Sequence, residues 1–313
     1  MAKYLITGGA GFIGSNFAYK VVEEGNEVVI VDDLSMGLLR NIEDLPEDKC
    51  TFYNESITNY DFMTKLLLKE RFDYIVLLAA IASVADSVAR PYDTHLVNQE
   101  ANIHILETIR KYGIPVKKII FASSAAVYGD DPELPKKETS PICPLTPYAI
   151  DKFASERYVL TYGRLYNIPT VATRFFNVYG PKQNPNSPYS GVLSIIQNCL
   201  VRDKTFTLYG DGKQTRDFVY VKDVINVLDL LLKTKEACWD VYNVATGVSS
   251  ELNDVIYAFE KAMDKKLNVE YKEARTGDIK DSVADISNLK TLGYSPKYSL
   301  LDGLTEYTKM VVD

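Results

Sequence analysis

The chain has 313 residues, of which 46% are hydrophobic and 25% are charged, and its formal net charge at pH 7 is −7. This length is enough for one large α/β unit or two domains, and the composition is typical of a soluble globular enzyme. The acidic balance, with a pI near 5.1, argues against nucleic acid or an anionic membrane as the main partner.

Apolar runs that are continuous rather than alternating predict strands buried on both faces, with helical patterns between them. The predicted strands in the first half are residues 4–7, 28–32, 50–53, 74–79, 119–123 and 170–173. The predicted helices are residues 12–24, 61–69, 98–112 and 146–166. This rhythm predicts a doubly wound parallel α/β sheet of the Rossmann type, with ligands at the carboxyl ends of the strands.

Proline, glycine and asparagine become frequent after Arg174, and shorter elements follow. Helices are predicted at residues 192–202, 223–233, 252–262 and 300–312, and strands at 205–208, 241–244 and 267–271. We therefore predict a dinucleotide-binding domain at residues 1–173 and a smaller α/β substrate lobe at residues 174–313. Some later segments are expected to return to the first domain.

Targeting and metal-binding signals are missing from the sequence. The glycines that begin at Gly8 interrupt the first apolar run too early for a signal peptide, and the longest apolar run, residues 74–82, is too short to span a bilayer. The four cysteines fit neither a C-x-x-C pair nor a metal spacing: Cys50, Cys143, Cys199 and Cys238. We expect a cytoplasmic protein with free thiols, no bound metal and no membrane partner.

Residues 8–14 read G-x-x-G-x-x-G between the first strand and the first helix. Gly8 is predicted to make the turn, Gly11 to let a pyrophosphate approach the backbone, and Gly14 to let the helix pack close to the sheet. Asp32 ends the second strand, near the expected distance of about 20 residues past the turn. Its carboxylate can accept both ribose hydroxyls and would repel a 2′-phosphate, which predicts NAD rather than NADP.

Tyr148 and Lys152 lie one helical turn apart at the start of a predicted helix, so they share a face. Lowering the pKa of a phenol from about 10 to about 7 needs about 4 kcal/mol. A neighbouring lysine and the positively charged nicotinamide ring can supply this stabilisation, so we predict Tyr148 as a general base and Lys152 as its partner.

Ser124 follows the fifth predicted strand, and its hydroxyl can both donate and accept a hydrogen bond. It can therefore relay a proton between a substrate hydroxyl and Tyr148. Considered alone, Ser123 or Ser124 would be interpreted as capping the strand end. The combination with Tyr148 and Lys152 favours the catalytic role for Ser124.

These motifs occur in order with four further segments: residues 32–35 (DDLS), 78–80 (LAA), 174–181 (RFFNVYGP) and 215–223 (TRDFVYVKD). Together they resemble the extended short-chain dehydrogenase/reductase family that modifies nucleotide sugars, and most of all its UDP-hexose 4-epimerases. The resemblance covers nearly the whole chain. It implies that Tyr148 takes the proton of the sugar 4-hydroxyl while hydride passes to a bound, recycled NAD. The transient 4-keto sugar would turn over in the pocket, and hydride would return to its other face.

The resemblance also implies two sets of contact residues. The NAD contacts would be Gly8, Gly11, Phe12, Ile13, Gly14, Asp32, Asp33, Ser35, Gly37, Ser56, Ile57, Leu78, Ala79, Ala80, Asn98, Tyr148, Lys152 and Phe175. The substrate contacts would be Ser83, Ser124, Tyr148, Asn177, Tyr189, Val192, Tyr209, Arg216, Arg275, Asp278 and Ser282.

Within the substrate set, Arg216 and Arg275 would bind the UDP diphosphate, Asp278 the nucleotide ribose, and Asn177 the substrate phosphate. Without the family context, the two arginines would be interpreted as members of surface ion pairs. Asn177 and Asp278 would then be interpreted as turn-capping residues.

Departures from the family pattern narrow the activity. Ala125 and Ala126 stand where the 4,6-dehydratases have an acidic pair and the decarboxylases have a nearby glutamate, so both chemistries are disfavoured. Ser56 replaces the usual aspartate that contacts adenine, and Leu77 replaces a common histidine. Ser282 stands at the gate beside the sugar 2-substituent, where a tyrosine narrows the pocket. A serine leaves room for an N-acetyl group, which predicts UDP-GlcNAc/UDP-GalNAc, alone or together with UDP-Glc/UDP-Gal.

Other readings stay open from the sequence. A nucleotide-sugar 2-epimerase, a glucuronate 4-epimerase, a dehydratase or a reductase that releases NADH belongs to the same group, and a non-catalytic dinucleotide-binding protein is a more remote alternative. Family analogy also predicts a homodimer through the helices at residues 98–112 and 146–166. Candidate interface side chains are Ile103, Leu106, Ile109, Phe153, Tyr158 and Tyr162, which could equally face the core.

Overall fold

The computed structural model describes residues 1–183, 191–273 and 280–309. Its strands are β1 (Lys3–Thr7), β2 (Glu27–Asp32), β3 (Cys50–Asn54), β4 (Tyr74–Leu77), β5 (Lys118–Ser124), β6 (Thr170–Phe175), β7 (Asn177–Tyr179), β8 (Phe206–Tyr209), β9 (Thr215–Arg216), β10 (Phe218–Tyr220), β11 (Val241–Val244), β12 (Ser250–Glu251) and β13 (Val269–Lys272). Its helices are α1 (Phe12–Glu23), α2 (Tyr60–Lys69), α3 (Val84–Ala89), α4 (Pro91–His95), α5 (Ala101–Tyr112), α6 (Pro147–Tyr166), α7 (Val192–Val201), α8 (Val221–Lys233), α9 (Leu252–Met263), α10 (Ser287–Thr291) and α11 (Leu300–Lys309).

The chain divides into two compact units. The first unit contains Met1–Asp131, Pro141–Arg174 and Ile225–Tyr242. The second unit contains the described residues of 132–140, 175–224 and 243–313. The chain therefore passes between the units several times rather than once.

A seven-stranded sheet with the order β11-β6-β5-β4-β1-β2-β3 organises the first unit. β1 runs parallel to β2 and β4, and parallel pairing continues from β2 to β3 and from β4 to β5. The order of the strands reverses between β1 and β4, which is where doubly wound sheets bind ligands at their carboxyl ends. The predicted Rossmann-type sheet is confirmed.

Helix α6 shows how local sequence fixes an element of this unit. The Thr146 hydroxyl accepts a hydrogen bond from the backbone N–H of Ala149 at 3.3 Å, and Pro147 occupies the first helical position. Both features favour a helix start. The helix ends at Asn167, which adopts a left-handed conformation with φ of 53°. Tyr148 therefore lies in the first turn of α6.

The chain between β4 and α5 differs from the prediction. β4 ends at Leu77 rather than at residue 79, because the backbone N–H groups of Leu78 and Ala79 donate to the backbone oxygen and the hydroxyl of Thr7. The helix predicted at residues 98–112 begins at Ala101 and is preceded by α4 and a π-helical turn, Leu96–Glu100.

Helix α5 contributes its apolar side to the core of the first unit. Leu106 and Ile109 are 0% and 1% exposed and pack in the main hydrophobic cluster, so of the two positions left open by the sequence they occupy the core. Their helical spacing turns them towards the apolar strands, where burial stabilises most. Tyr158 on α6 is 42% exposed. The homodimer itself stays a prediction.

The described residues of the second unit form three two-stranded sheets. β10 pairs with β7 and β13 with β8 in parallel, while β12 pairs with β9 in the antiparallel direction. Helices α9 and α11 pack against each other. All six strands have two to four residues; β8 and β13 correspond to the strands predicted at residues 205–208 and 267–271, while β7, β9, β10 and β12 are too short to show a hydrophobic period.

Two further properties concern the described part of the chain only. No group of three or more His, Cys, Asp or Glu side chains there is placed to hold a metal ion. None of the helices in these residues combines the length and the apolar character needed to cross a membrane.

The core position of Leu106 gives a stability prediction. Leu106→Ala should lower the free energy of unfolding by about 2–5 kcal/mol, because it leaves a cavity in packed surroundings. The control is Leu165→Ala on α6, where the leucine is 69% exposed and the same change should cost about 0.5 kcal/mol or less. Thermal unfolding of both variants at equal protein concentration measures the difference. Equal, small effects would contradict the core assignment.

Candidate active site

The glycine turn lies at the carboxyl end of β1, where missing side chains allow close packing. Gly8 has φ of +71°, and a Cβ there would meet the backbone nitrogen of Ala79 at 2.8 Å. A Cβ on Gly14 would lie 2.3 Å from the backbone oxygen of Gly8. Gly11 is the N-cap of α1, and no described side chain caps this helix. Its first turn therefore presents backbone N–H groups and the positive end of the helix dipole, which suits an anion.

Asp32 ends β2 beside this turn and is 8% exposed. Its carboxylate oxygens accept the backbone N–H groups of Ala10 at 3.0 Å and Leu34 at 2.9 Å. Burial raises the pKa of Asp32, and these two hydrogen bonds oppose the rise. A Cβ on Gly37 would lie 2.6 Å from one carboxylate oxygen, so a larger residue at this position would displace the Asp32 carboxylate. The structure thus brings the predicted residues Asp32 and Gly37 together.

The other predicted cofactor residues of the first unit fall into two groups. Phe12 and Ile13 begin α1, and Leu78, Ala79 and Ala80 follow β4; all five are half-buried. Four others, Asp33, Ser35, Ser56 and Ile57, form local contacts. The Ser35 hydroxyl donates to Asp33, the hydroxyls of Ser56 and Thr58 are hydrogen-bonded at 2.9 Å, and the Ile57 side chain packs in the hydrophobic core. Phe175, at the end of β6, belongs to the second unit and is half-buried.

Asn98 lies in the π-helical turn and is fully buried. Its side-chain oxygen accepts the backbone N–H of Ile81 at 2.8 Å, and its amide donates to the backbone oxygen of Ile81 at 3.1 Å. Asn98 therefore fixes the segment that follows β4. Ser83 has a similar local contact, because its hydroxyl caps α3 by accepting the Asp86 N–H at 2.8 Å.

Ser124, Tyr148 and Lys152 come together where β5 ends and α6 begins. A hydrogen bond joins Ser124 and Tyr148 and lowers the pKa of the phenol, although burial has the larger effect and raises this pKa overall. The Lys152 ammonium donates to the backbone oxygen of Ala122 at 2.8 Å and lies 6.0 Å from the centroid of the Tyr148 ring. The three predicted residues thus form one cluster.

Burial dominates the charge balance of this cluster. It raises the pKa of Tyr148 by more than the hydrogen bond from Ser124 lowers it. Burial also lowers the pKa of Lys152 to about 8. Desolvation favours the neutral form of both groups. The chain by itself keeps the Tyr148 phenol protonated at neutral pH.

The second unit contains a pocket of about 650 Å³, within the range of small-molecule sites. It is lined by Asn177, Val192, Ile195, Cys199, Thr205, Phe206, Thr207, Leu208, Tyr209, Gln214, Arg216, Phe218 and Leu252. Four of the predicted substrate residues therefore share one pocket: Asn177, Val192, Tyr209 and Arg216. Arg216 brings a cation to its wall and donates to the backbone oxygens of Thr215 at 2.7 Å and Lys280 at 3.1 Å.

Sequence reasoning named Tyr209 at the end of β8 but missed residues 205–208 on the same wall of the pocket. It also missed Gln214, whose amide donates to the Tyr209 backbone oxygen at 2.9 Å. These residues carry no motif, and only the pairing of β8 with β13 identifies them as a wall. Ser282 does not line the pocket; its backbone N–H donates to the Thr215 oxygen at 3.2 Å. Three predicted substrate residues lie outside the described residues: Tyr189, Arg275 and Asp278.

Comparison with known proteins places these features in a family. The family model described as GDP-mannose 4,6 dehydratase matches residues 5–307. A UDP-glucose 4-epimerase of Mycolicibacterium smegmatis is 33% identical over 307 residues, which are 97% of this chain and 96% of the relative.

Solved structures show the same similarity. A UDP-N-acetylglucosamine 4-epimerase from Methanobrevibacter ruminantium, in complex with UDP-N-acetylmuramic acid, has a TM-score of 0.93 at 35% identity and covers 99% of this chain and 98% of its own. A UDP-glucose 4-epimerase of Thermus thermophilus, in complex with NAD, has a TM-score of 0.89 at 33% identity and covers 98% of both chains. This chain belongs to the extended short-chain dehydrogenase/reductase family, in its nucleotide-sugar epimerase and dehydratase group, and the resemblance predicted from the motifs is confirmed.

The hydrogen bond between Ser124 and Tyr148 gives a pH prediction. Ser124→Ala should raise the pKa of Tyr148, since the bond that favours the phenolate is lost. Difference absorbance titration against Tyr148→Phe in the same background isolates this phenol from the other tyrosines. Ser87→Ala is the control, because the Ser87 hydroxyl is also buried and donates to the Val84 oxygen at 2.7 Å. A Tyr148 pKa that is the same in both variants would contradict the assigned bond.

Proposed function

We propose that this chain is an NAD-dependent 4-epimerase of UDP-hexoses, acting on UDP-GlcNAc/UDP-GalNAc, on UDP-Glc/UDP-Gal, or on both pairs. The observation that carries the proposal is the hydrogen-bonded pair of Tyr148 and Ser124 with Lys152 beside it. The similar proteins from three organisms are all UDP-sugar 4-epimerases by name, and one of them was solved with NAD. These similarities support the reaction class more strongly than the choice of sugar.

The first unit has the features that NAD requires. The glycine turn leaves the amino end of α1 without a side-chain cap, which suits a pyrophosphate. Asp32 is held in place by two backbone N–H groups and has acceptor capacity left for ribose hydroxyls. The chemistry that bound NAD supplies is reversible storage of the C4 hydride and a positive charge that favours the Tyr148 phenolate.

The chain itself supplies proton transfer and positioning. Tyr148 would take the proton from the sugar 4-hydroxyl and later return it, with Ser124 hydrogen-bonded to both the sugar oxygen and the phenol. Lys152, fixed to the Ala122 carbonyl, adds a positive charge near the ring. Each group can reverse its role, as an epimerase working in both directions requires.

The description of the matching family model names a dehydratase, but this chain lacks what that reaction needs. Ala125 and Ala126 form the 3-10 turn directly after Ser124, and neither has an acid or base. Elimination of water requires a proton to leave one carbon and a hydroxyl to leave the next, with an added acid and base. The alanines therefore favour epimerisation over dehydration.

We further propose that the two units have different roles in the reaction. The first unit would bind NAD and carry out the proton transfer. The second unit would bind the nucleotide diphosphate in the pocket that contains Arg216, whose guanidinium suits a phosphate. Asn177 on the wall of this pocket would add a neutral hydrogen-bond donor.

A chromatographic assay tests the proposed function. Purified protein is incubated separately with UDP-GlcNAc and with UDP-Glc, and we expect the corresponding galacto epimer without net formation of NADH. Tyr148→Phe should reduce turnover at least about 100-fold while NAD stays bound, because general acid–base catalysis contributes about 10²–10⁴-fold. Net consumption of NAD or NADH by the wild-type protein, or unchanged turnover in Tyr148→Phe, would contradict the proposal.

The N-acetyl group provides a separate substrate prediction. The family resemblance assigns Ser282 to the gate beside the sugar 2-substituent, and its backbone N–H is held by the Thr215 oxygen, so a larger side chain there is expected to narrow the space for an N-acetyl group. Ser282→Tyr should abolish turnover of UDP-GlcNAc and spare turnover of UDP-Glc. Ser287→Tyr, the same substitution at an exposed position, should change neither rate. Equal loss on both substrates in Ser282→Tyr would overturn the gate assignment.

A further inference from the structure

An ion pair between Glu156 and Arg174 is buried inside the first unit. Glu156 on α6 is 0% exposed, and Arg174 on β6 is 2% exposed. The arginine Nη2 lies 2.6 Å from Oε1 of the glutamate and its Nε lies 2.9 Å from Oε2, so two parallel hydrogen bonds join the charges. This bidentate geometry fixes both side chains in position and orientation.

Two neutral side chains complete a network of four, which we call the Glu156 network: Ser123, Tyr128, Glu156 and Arg174. The Ser123 hydroxyl donates to Oε2 of Glu156 at 2.7 Å. Arg174 Nη1 donates to the Tyr128 hydroxyl at 2.9 Å, and the guanidinium carbon lies 4.9 Å from the centroid of the Tyr128 ring. The network therefore joins β5, α6, β6 and the 3-10 turn after β5.

Two members of this network adjoin the proposed catalytic residues. Ser123 directly precedes Ser124 on β5, and Glu156 follows Lys152 by one helical turn on α6. The Lys152 ammonium is itself bonded to Ala122, the residue before Ser123. Two hydrogen bonds, Ser123 to Glu156 and Lys152 to Ala122, thus join the end of β5 to the first half of α6.

Stability alone is a poor explanation for such a pair. Removing two charges from water costs several kcal/mol, and apolar replacements of buried ion pairs are often neutral or stabilising. A fully satisfied polar network does, however, select one arrangement of the elements that it joins. Two of the elements joined here, β5 and α6, carry Ser124 and Tyr148.

We propose that the Glu156 network positions the Ser124 hydroxyl against the Tyr148 phenol, and that Ser123 and Tyr128 are positioning residues for the reaction. This inference rests on the proposed 4-epimerase function. A hydrogen bond between two hydroxyls loses strength with small displacements, and active groups must be held within about 0.5 Å of their productive geometry. Loosening β5 against α6 therefore weakens the bond that favours the Tyr148 phenolate.

Conservative variants test the proposal without leaving a buried charge unpaired. Ser123→Ala and Tyr128→Phe should each lower kcat on the order of tenfold and change KM by less than about twofold. A misplaced Ser124 hydroxyl slows the proton transfer but leaves the substrate-binding contacts in place. In the pH profile of kcat, the acid limb should move to higher pH, because the pKa of Tyr148 rises when its hydrogen bond to Ser124 weakens. Ser123→Thr, which keeps the hydroxyl, should restore most of kcat and the original profile.

The control separates positioning from a general loss of stability. Tyr294 in the second unit is buried, and its hydroxyl donates to the Ala245 oxygen at 2.9 Å, so Tyr294→Phe removes a comparable hydrogen bond. We expect this variant to keep the wild-type kcat and pH profile. If Ser123→Ala and Tyr128→Phe lose stability but keep both kinetic properties, or if Ser123→Thr fails to rescue, the positioning role is overturned.

The two proposals fail in different ways. If the wild-type protein epimerises no UDP-hexose, the proposed function fails, and the Tyr148 pKa is then measured by difference absorbance against Tyr148→Phe. An upward change in Ser123→Ala, absent in Tyr294→Phe, supports positioning in that case as well. An unchanged Tyr148 pKa in Ser123→Ala contradicts it.

Discussion

The close approach of α1 to the ends of β1 and β4 depends on backbone positions that have no side chain. A Cβ on Gly14 would overlap the backbone oxygen of Gly8, and a Cβ on Gly8 would overlap the backbone of Ala79. Because backbone atoms cannot move aside as a flexible side chain can, these positions require glycine. The same approach brings the amino end of α1 to the point where the strand order reverses. The packing of the sheet and the place for an anion are therefore set by one constraint.

The proposed chemistry depends on a second junction, between β5 and α6. Burial there raises the pKa of Tyr148 and lowers that of Lys152 to about 8, so the protein favours the neutral form of both groups. A site of this kind responds strongly to any positive charge brought close to it, because electrostatic interactions are stronger where water is excluded. NAD⁺ brings such a charge. The Tyr148 base would thus become active only in the presence of the cofactor that stores the hydride.

The sequence predicted features that depend on neighbouring residues, and it missed those that depend on distant ones. The start of α6 follows from Thr146 and Pro147, which cap and begin the helix locally. A strand at residues 241–244 and the return of later segments were predicted, but the place of β11 at the edge of the large sheet was not, because a four-residue strand does not specify which strand it will join. In the same way, helical spacing could not show whether Leu106 lies in the core or at an interface. No sequence motif predicted that the Asn98 side chain would be hydrogen-bonded to the backbone of Ile81.

The most direct test of the account follows the hydrogen on C4 of the sugar. A UDP-hexose deuterated at C4 is incubated with the protein in ordinary water, and the epimer is examined by NMR. The account predicts that the epimer keeps the deuterium at C4, because Tyr148 exchanges only the hydroxyl proton with its surroundings. Replacement of the deuterium by hydrogen from water would contradict the account, since it would mean that inversion proceeds by removal of a proton from carbon.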